Sequence, residues 1–504
     1  MSRNNSSKRQ NDLAAFIGVS GPETPKYMLA NNFLTDYFRD NPSTSDIYNF
    51  RLLEDSGVLH MEDEINHLKL EKSFNTFLVR YSGEEIIKNS NKRLDKNKHY
   101  FFPLNHKMLI EIKNNYLRHI LYYLQCLDKE HFNYSDLQQK LEVYIFQDDS
   151  GINRILKILF QNQEEEIITL ERTDKERIDQ AKNFWSMLDK GEHRRLKVLG
   201  QQLNEDLNVL LEHEYFRKLD FYRKYNYLSI LLTSYIVQYI VRRKEDEAYM
   251  LCKGHPSDSR LNGMLHKACC DNYVSIRNIF PILLQQYYEK VLAQEMDMKE
   301  SLRMKRMNGK VLINDREFQE FARNVMGSKS RSEIEFQRIV KVFRFTEEDE
   351  EISISAKDFI RRYIDITRTR GGNTITKISS TLPTCGKQIG MVFPESNARQ
   401  KYFAMSSSLT EFYVRLYLAK KNQKYDYLDN FIEFLQKRYH IVLTKTKEGE
   451  TLLRKLKLNI TAQEFAKNKQ AFIDTLHSIN CLVKLSDSGY VITLPEEKGD
   501  FKLI

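Results

Sequence analysis

Proline and glycine are scarce in this chain of 504 residues, at 9 and 18. Sandwiches and barrels need such residues at their many tight turns, so the shortage argues against both. Cysteine is sparse too: Cys126, Cys252, Cys269, Cys270, Cys385 and Cys481. So few in so long a chain make no disulfide framework, and the polar start MSRNNSSKRQNDL has no apolar signal core. A reducing cytoplasm is the location these features lead one to expect. Long apolar runs are missing as well. The nearest approach, Tyr225 to Val241 (YNYLSILLTSYIVQYIV), has 17 residues without a charge but includes Asn226, Ser229, Thr233, Ser234 and Gln238. A membrane span wants about 20 predominantly apolar residues. No membrane is therefore expected, and the segment reads as the buried central helix of a helical domain.

Catalytic signatures are also lacking. The sequence contains no GxxxxGK[ST], GxGxxG or HExxH, and no GxSxG nucleophile elbow. The segment Gly386 to Gly390 (GKQIG) lacks the upstream glycine and the Ser or Thr of a phosphate loop. The acidic run Glu347 to Glu351, with Lys357 beyond it, offers nuclease-like carboxylates but reads as a solvated face. The expectation is a non-enzymatic protein with no cofactor. Two alternatives stand beside it: a metal-dependent nuclease with an unrecognised site, and a protein-docking scaffold that binds no nucleic acid.

What the chain does have is charge concentrated at one end. Arg361 to Ile504 holds 24 Lys and Arg against 14 Asp and Glu, a net of +10. The whole chain is +9, so the first 360 residues come to −1. A neutral body joined to a basic end fits one end meeting a polyanion. The densest stretch carries Arg361, Arg362, Arg368, Arg370, Lys377, Lys387, Arg399 and Lys401 against Asp365 and Glu395. Its loop TRTRGGNTITK suits a segment that follows a phosphate backbone.

Apolar periodicity gives the organisation. Residues 1–12 read as a disordered arm, and 13–100 as a mixed α/β region containing a short helix at LANNFLTDYFRD. From 101 to 298 the pattern is a helical bundle. Its helices are expected near Leu109 to Tyr123, Leu137 to Phe146, Ile152 to Phe160, Lys175 to Leu188, Leu196 to Leu211, Tyr215 to Val241 and Val274 to Leu292. A connector and the basic segment fill 299–408. The fold class is thus mainly α: an irregular multi-helix body, a small mixed N-terminal region and a C-terminal winged-helix domain over 409–504.

The winged helix rests on element order. A helix at Asp426 to Tyr439 precedes a short strand at His440 to Thr444, then helices at Gly449 to Leu458 and Thr461 to Ile479. Two strands follow around the turn Asp487-Ser488-Gly489. Such a domain lays its third helix in the major groove. Opposite the buried stripe of that helix (Phe465, Phe472, Leu476, Ile479) lie Lys467, Gln470, Asp474, His477 and Ser478. Asp474 would repel phosphate, Lys469 would have to snorkel, and Gln470 alone could read adenine. Further cations come from Lys445, Lys447, Arg454, Lys455 and Lys457.

One metal pattern stands out. Cys252-Lys253-Gly254-His255 and His266-Lys267-Ala268-Cys269 are two pairs of zinc-type ligands, each with two residues between. Four such ligands in tetrahedral array would hold zinc. The alternative is a loop Cys, a loop His and a buried Cys at a helix start, with no metal.

The helical body with YNYLSILLTSYIVQYIVRRK, the basic middle segment and the closing FIEFLQKRYHIVL resemble the non-ATPase accessory subunits of multigene bacterial anti-phage systems. The G-type subunit of phosphorothioation-dependent restriction is one example. The resemblance is architectural and carries over no functional residue. It implies a subunit that engages duplex DNA beside a separate ATPase and a separate nuclease.

Overall fold

The computed structural model describes residues 26–35, 37–38, 117–128, 132–146, 188, 190–243, 248–283, 286, 311–312, 353–354, 379–395, 400–455, 460–485 and 489–496. Most of them are helical. The helices expected at Ile152 to Phe160 and Lys175 to Leu188 fall almost wholly outside these residues, as does most of the mixed region 13–100.

Among the described residues the first half holds the helices α1 (Lys26–Thr35), α2 (Leu117–Leu127), α3 (Tyr134–Leu141, continued by a π turn, Glu142–Phe146), α4 (Lys190–Glu212), α5 (Glu214–Arg217) and α6 (Phe221–Arg242). In α4 the buried Leu196, Leu199, Leu203, Leu207 and Leu210 recur at steps of three and four, which makes one apolar stripe. Helices α2 and α4 touch backbone to backbone at Gly200, where a β-carbon would lie 2.0 Å from the Leu124 carbonyl oxygen. Helix α6 is the centre. Asp220 caps it by accepting the Arg223 N–H at 3.0 Å, and every residue from Tyr227 to Arg242 is buried. The arginines at its C-terminal end turn inward. Arg242 donates to Gln202 at 2.8 Å and to the Arg438 carbonyl at 2.7 Å, and Arg243 pairs with Glu192 at 3.1 Å.

The second half adds β1 (Met250–Lys253), α7 (Met264–Arg277), the small pair β2 (Val311–Leu312) and β3 (Ser353–Ile354), α8 (Thr381–Gln388), β4 (Val392–Phe393), β5 (Tyr402–Ala404) and α9 (Ser407–Lys421). It closes with β6 (Tyr425–Tyr427), α10 (Leu428–Tyr439), β7 (Ile441–Val442), α11 (Lys447–Lys455), α12 (Ala462–Ser478), β8 (Leu482–Lys484) and β9 (Tyr490–Thr493). Helix α7 begins well before the expected Val274 and ends at Arg277.

A four-stranded sheet of order β4-β5-β1-β7 lies among these helices. Strand β1 runs parallel to β5 and to β7, with Cys252 opposite Phe403 and Met250 opposite Ile441. The sequence hid this sheet, because its strands are too short for a period of two to register and its parallel partners are remote in the chain.

The expected order of helix, strand, helix, helix and hairpin is present as α10, β7, α11, α12 and β8–β9. Its strands pair differently from those of a winged helix, where the strand after the first helix completes the hairpin's sheet. Here β7 leaves to join β1, and the hairpin takes its third strand, β6, from before α10. Among the described residues the larger of two apolar clusters draws side chains from Leu29 through α6 to Leu494. Its polar centre is Asp206, fully buried, which accepts hydrogen bonds from Tyr235 (2.6 Å), Tyr439, Arg438 (2.6 Å) and Lys420 (2.9 Å).

Candidate nucleic-acid interface

Helix α12 carries two of the predicted site residues, Lys467 and Gln470, and its ends and inner face are fixed locally. Thr461 and Glu464 form a reciprocal capping box at its start. Phe465, Phe472 and Leu476 are buried as the sequence implies, while Ile479 is half-buried. Between them Asn468, fully buried, reaches into the carboxyl ends of the parallel strands. Its Nδ2 donates to the carbonyls of Cys252 (2.9 Å) and Leu443 (2.8 Å), and its Oδ1 accepts the Gly254 N–H at 2.8 Å. Those strand ends are where open α/β sheets usually bind ligands. In this fold α12 covers them, and Gly254 is needed there: a β-carbon would sit 2.4 Å from the Asn468 carbonyl oxygen.

The outward face presents Lys467, Gln470, Asp474, His477 and Ser478, all exposed. Two contacts change how it reads. Gln470 donates its amide to Asp474 at 2.9 Å, so the candidate adenine reader is already engaged. Arg260 donates to Asp474 at 2.7 Å and to Asp258 at 2.6 Å. The Arg260 hydrogen bond holds the Asp474 carboxyl below its ordinary range and offsets the repulsion expected of it. Arg260 was not legible as part of this face, because it comes from the turn after β1, far along the chain from α12.

Lys445 and Lys469 line an open groove of about 570 Å³ between α10, α12 and the Thr444–Thr446 turn. The cations here are paired: Lys469 with Asp429 at 2.5 Å, Lys445 with Glu450 at 3.1 Å and Lys437 with Glu433. Lys469 thus finds a carboxylate rather than snorkelling to water. In contrast Lys447, Arg454 and Lys467 are exposed and form no ion pair among the described residues. Lys455 ends α11. Arg361, Arg362, Arg368, Arg370, Lys377 and Lys457 lie outside the described residues.

Lys387 stands in the last turn of α8, and nothing in the sequence around it hints at its neighbours. Burial, then the charges of Lys387 and Arg277, pull the Lys401 ammonium down to about 8. These three cations therefore share one neighbourhood.

Of the candidate zinc ligands, Cys252 and Cys269 lie close enough to interact, while His255 and His266 have other partners. Cys252 sits inside β1 and Cys269 inside α7, both fully buried, and burial pushes both thiols well up. His266 turns to Cys270, four residues on, at 3.7 Å and packs edge-on against the Tyr402 ring. His255 stays in its own turn, accepting the Ser257 N–H at 3.1 Å. Cys252 lies on a strand rather than a loop, which directs its thiol into the core. Among the described residues no three or more His, Cys, Asp or Glu gather to hold a metal.

Comparison of the chain with family models, with curated proteins and with solved structures finds no match. Among the described residues no helix is long and apolar enough to cross a membrane.

Proposed function

We propose that this chain is a non-enzymatic, duplex-DNA-binding subunit that grips the phosphate backbone with the surface of α11 and α12. The observation that carries the reading is the set Lys447, Arg454 and Lys467: exposed, without ion pairs among the described residues, and set in the basic end of the chain. Side chains of this kind supply counterion release rather than sequence reading. The engagement of Gln470 by Asp474 points the same way, because a base reader needs a free amide edge. The resemblance noted above extends the proposal to a place in a bacterial anti-phage complex, beside separate ATPase and nuclease subunits.

The test is competition between unrelated duplexes for a labelled one. Equal competition by all sequences supports phosphate gripping, and marked preference for one sequence contradicts it.

The groove between α10 and α12 favours a second reading, docking of a protein partner. Its floor includes Ile432 and Phe465, and its charges are already balanced. On that reading purified chain binds a partner subunit and shifts no duplex at low salt.

A further inference from the structure

Lys253, the last residue of β1, is only 1% exposed and forms no ion pair among the described residues. Alternation along the strand puts it on the same face as Leu251. Leu251 packs in the smaller apolar cluster with Leu261, Leu265 and Cys269, so the Lys253 ammonium enters an apolar setting. There it meets the Asn262 side-chain oxygen, at a long 3.4 Å, and the face of the Tyr402 ring, 4.9 Å from the centroid. Asp258 is near enough to act on it, but Arg260 holds that carboxylate through Nε at 2.9 Å and Nη2 at 2.6 Å. Buried charges are paired as a rule, because an isolated one is costly.

A second donor without an acceptor stands beside it. His266, near the start of α7, packs edge-on against the same Tyr402 ring, with 4.7 Å between centroids, and feels the Lys253 charge. Its Nε2 lies 3.7 Å from the Cys270 sulfur. Burial raises the Cys270 thiol, so the sulfur keeps its proton and donates it to Nε2. Burial also lowers the His266 imidazole, so the ring is neutral and carries its own proton on Nδ1. That nitrogen is buried and has no hydrogen-bond partner. Two donors with one charge between them thus gather at one aromatic ring. A carboxylate matches them, with one oxygen for each donor and a single negative charge. A phosphate dianion brings twice the charge.

We infer that Lys253 and His266 bind the carboxylate of a small organic acid at the carboxyl end of β1. Asn262 is exposed, and His266 and Tyr402 are half-buried, so the entrance lies on their side of the ammonium. With Lys253 itself almost fully buried, the approach is too narrow for the acidic loop of a protein and suits a small acid. Helix α12 covers the strand end beside Gly254, whereas the Lys253 side chain projects toward α7. An acid held there bridges β1 and α7. The inference goes beyond the duplex reading and stands or falls apart from it.

The experiment titrates acetate, and in parallel phosphate, into the full-length chain and follows the histidine ring signals by NMR. The signal lost in His266→Leu identifies His266. In wild type and in Lys267→Ala, which alters an exposed neighbour, acetate should move that signal saturably, and chloride at equal ionic strength should not. Lys253→Met keeps the side-chain stem and removes the charge, so acetate affinity should fall about tenfold or more. Without acetate, Lys253→Met should melt no lower than wild type, because an unpaired buried charge is gone. A lower melting temperature makes Lys253 a structural residue and overturns the site. So does a His266 signal that acetate leaves in place, that chloride moves equally, or that saturates in Lys253→Met at the acetate concentration of wild type. Phosphate binding without acetate binding overturns the carboxylate assignment.

Discussion

The side-chain oxygen of Asn468 accepts the backbone N–H of Gly254 at 2.8 Å, and through it helix α12 is tied to the strand end of β1. The same side chain satisfies the carbonyls of Cys252 and Leu443, so three buried backbone groups depend on it. Thr475 adds a hydrogen bond to the Gly254 carbonyl at 3.0 Å. Asn468→Leu fills the space but satisfies none of the three, at a cost of about 2–5 kcal/mol from their desolvation. Urea unfolding measures it, and a loss under about 0.5 kcal/mol would contradict the tie. Because α12 carries Lys467, the surviving folded fraction should also bind duplex more weakly.

Acid should weaken the fold before the carboxylates titrate. His440 closes α10 in a left-handed conformation, with its Nδ1 at 2.9 Å from the Ala248 carbonyl. Burial, and then the charge of Arg242, lower its imidazole to about 4. An unfolded histidine titrates near 6.5. Between those values the unfolded chain binds the proton more readily, so stability rises with pH across the window and is lost as pH falls from about 6.5 toward 4. The loss attributable to this group is on the order of 3 kcal/mol. His440→Asn, which tolerates the left-handed backbone, should flatten the pH dependence there. An unchanged slope would exclude His440 as its source.

Asp206 should behave as a pin of the larger apolar core. Burial alone would raise its carboxyl, but Arg438 and Lys420 outweigh that and hold it below the ordinary value. A depressed carboxylate contributes stability that is complete above its unfolded value, about 3.9, and is lost as pH falls below it. Asp206→Asn keeps the shape and removes the charge, leaving Arg438 and Lys420 with only the more exposed Glu205 as counter-ion. The expected cost is about 3–5 kcal/mol. If Asp206→Asn melts like wild type in a thermal scan at neutral pH, the pin is misassigned.

Close approach at Gly200 gives a prediction independent of charge. The Leu124 carbonyl occupies the space of a β-carbon, so Gly200→Ala must push α2 away from α4. Overpacking of this kind costs about 1–3 kcal/mol, against a gain of up to about 1 kcal/mol from helix propensity. Net stabilisation in a thermal melt would contradict the close approach.

The helices were legible because their signal is local. Tyr225 to Val241 lacks charge over several turns, and α6 is buried at every residue from Tyr227 to Arg242. The stripe Phe465, Phe472 and Leu476 likewise fixed which face of α12 points inward. What stayed hidden was long-range. Met250–Lys253 becomes a strand only because Phe403 and Ile441 flank it, and nothing local announces such partners. The same holds for the site. Lys467 and Gln470 were found from helical spacing, but Arg260 joins them only through its tertiary ion pair with Asp474. The cysteine and histidine spacing suggested a metal for the complementary reason: two residues between ligands says nothing about whether their side chains converge.

Duplex affinity as a function of salt tests the central claim most directly. With about six phosphates neutralised, log affinity should fall with log salt at a slope of roughly −5. Lys447→Ala/Arg454→Ala/Lys467→Ala should make that slope shallower by about 0.9 for each phosphate no longer neutralised, and weaken all duplexes alike. A triple variant with the affinity and slope of wild type would contradict the account and move the DNA-binding surface away from α11 and α12.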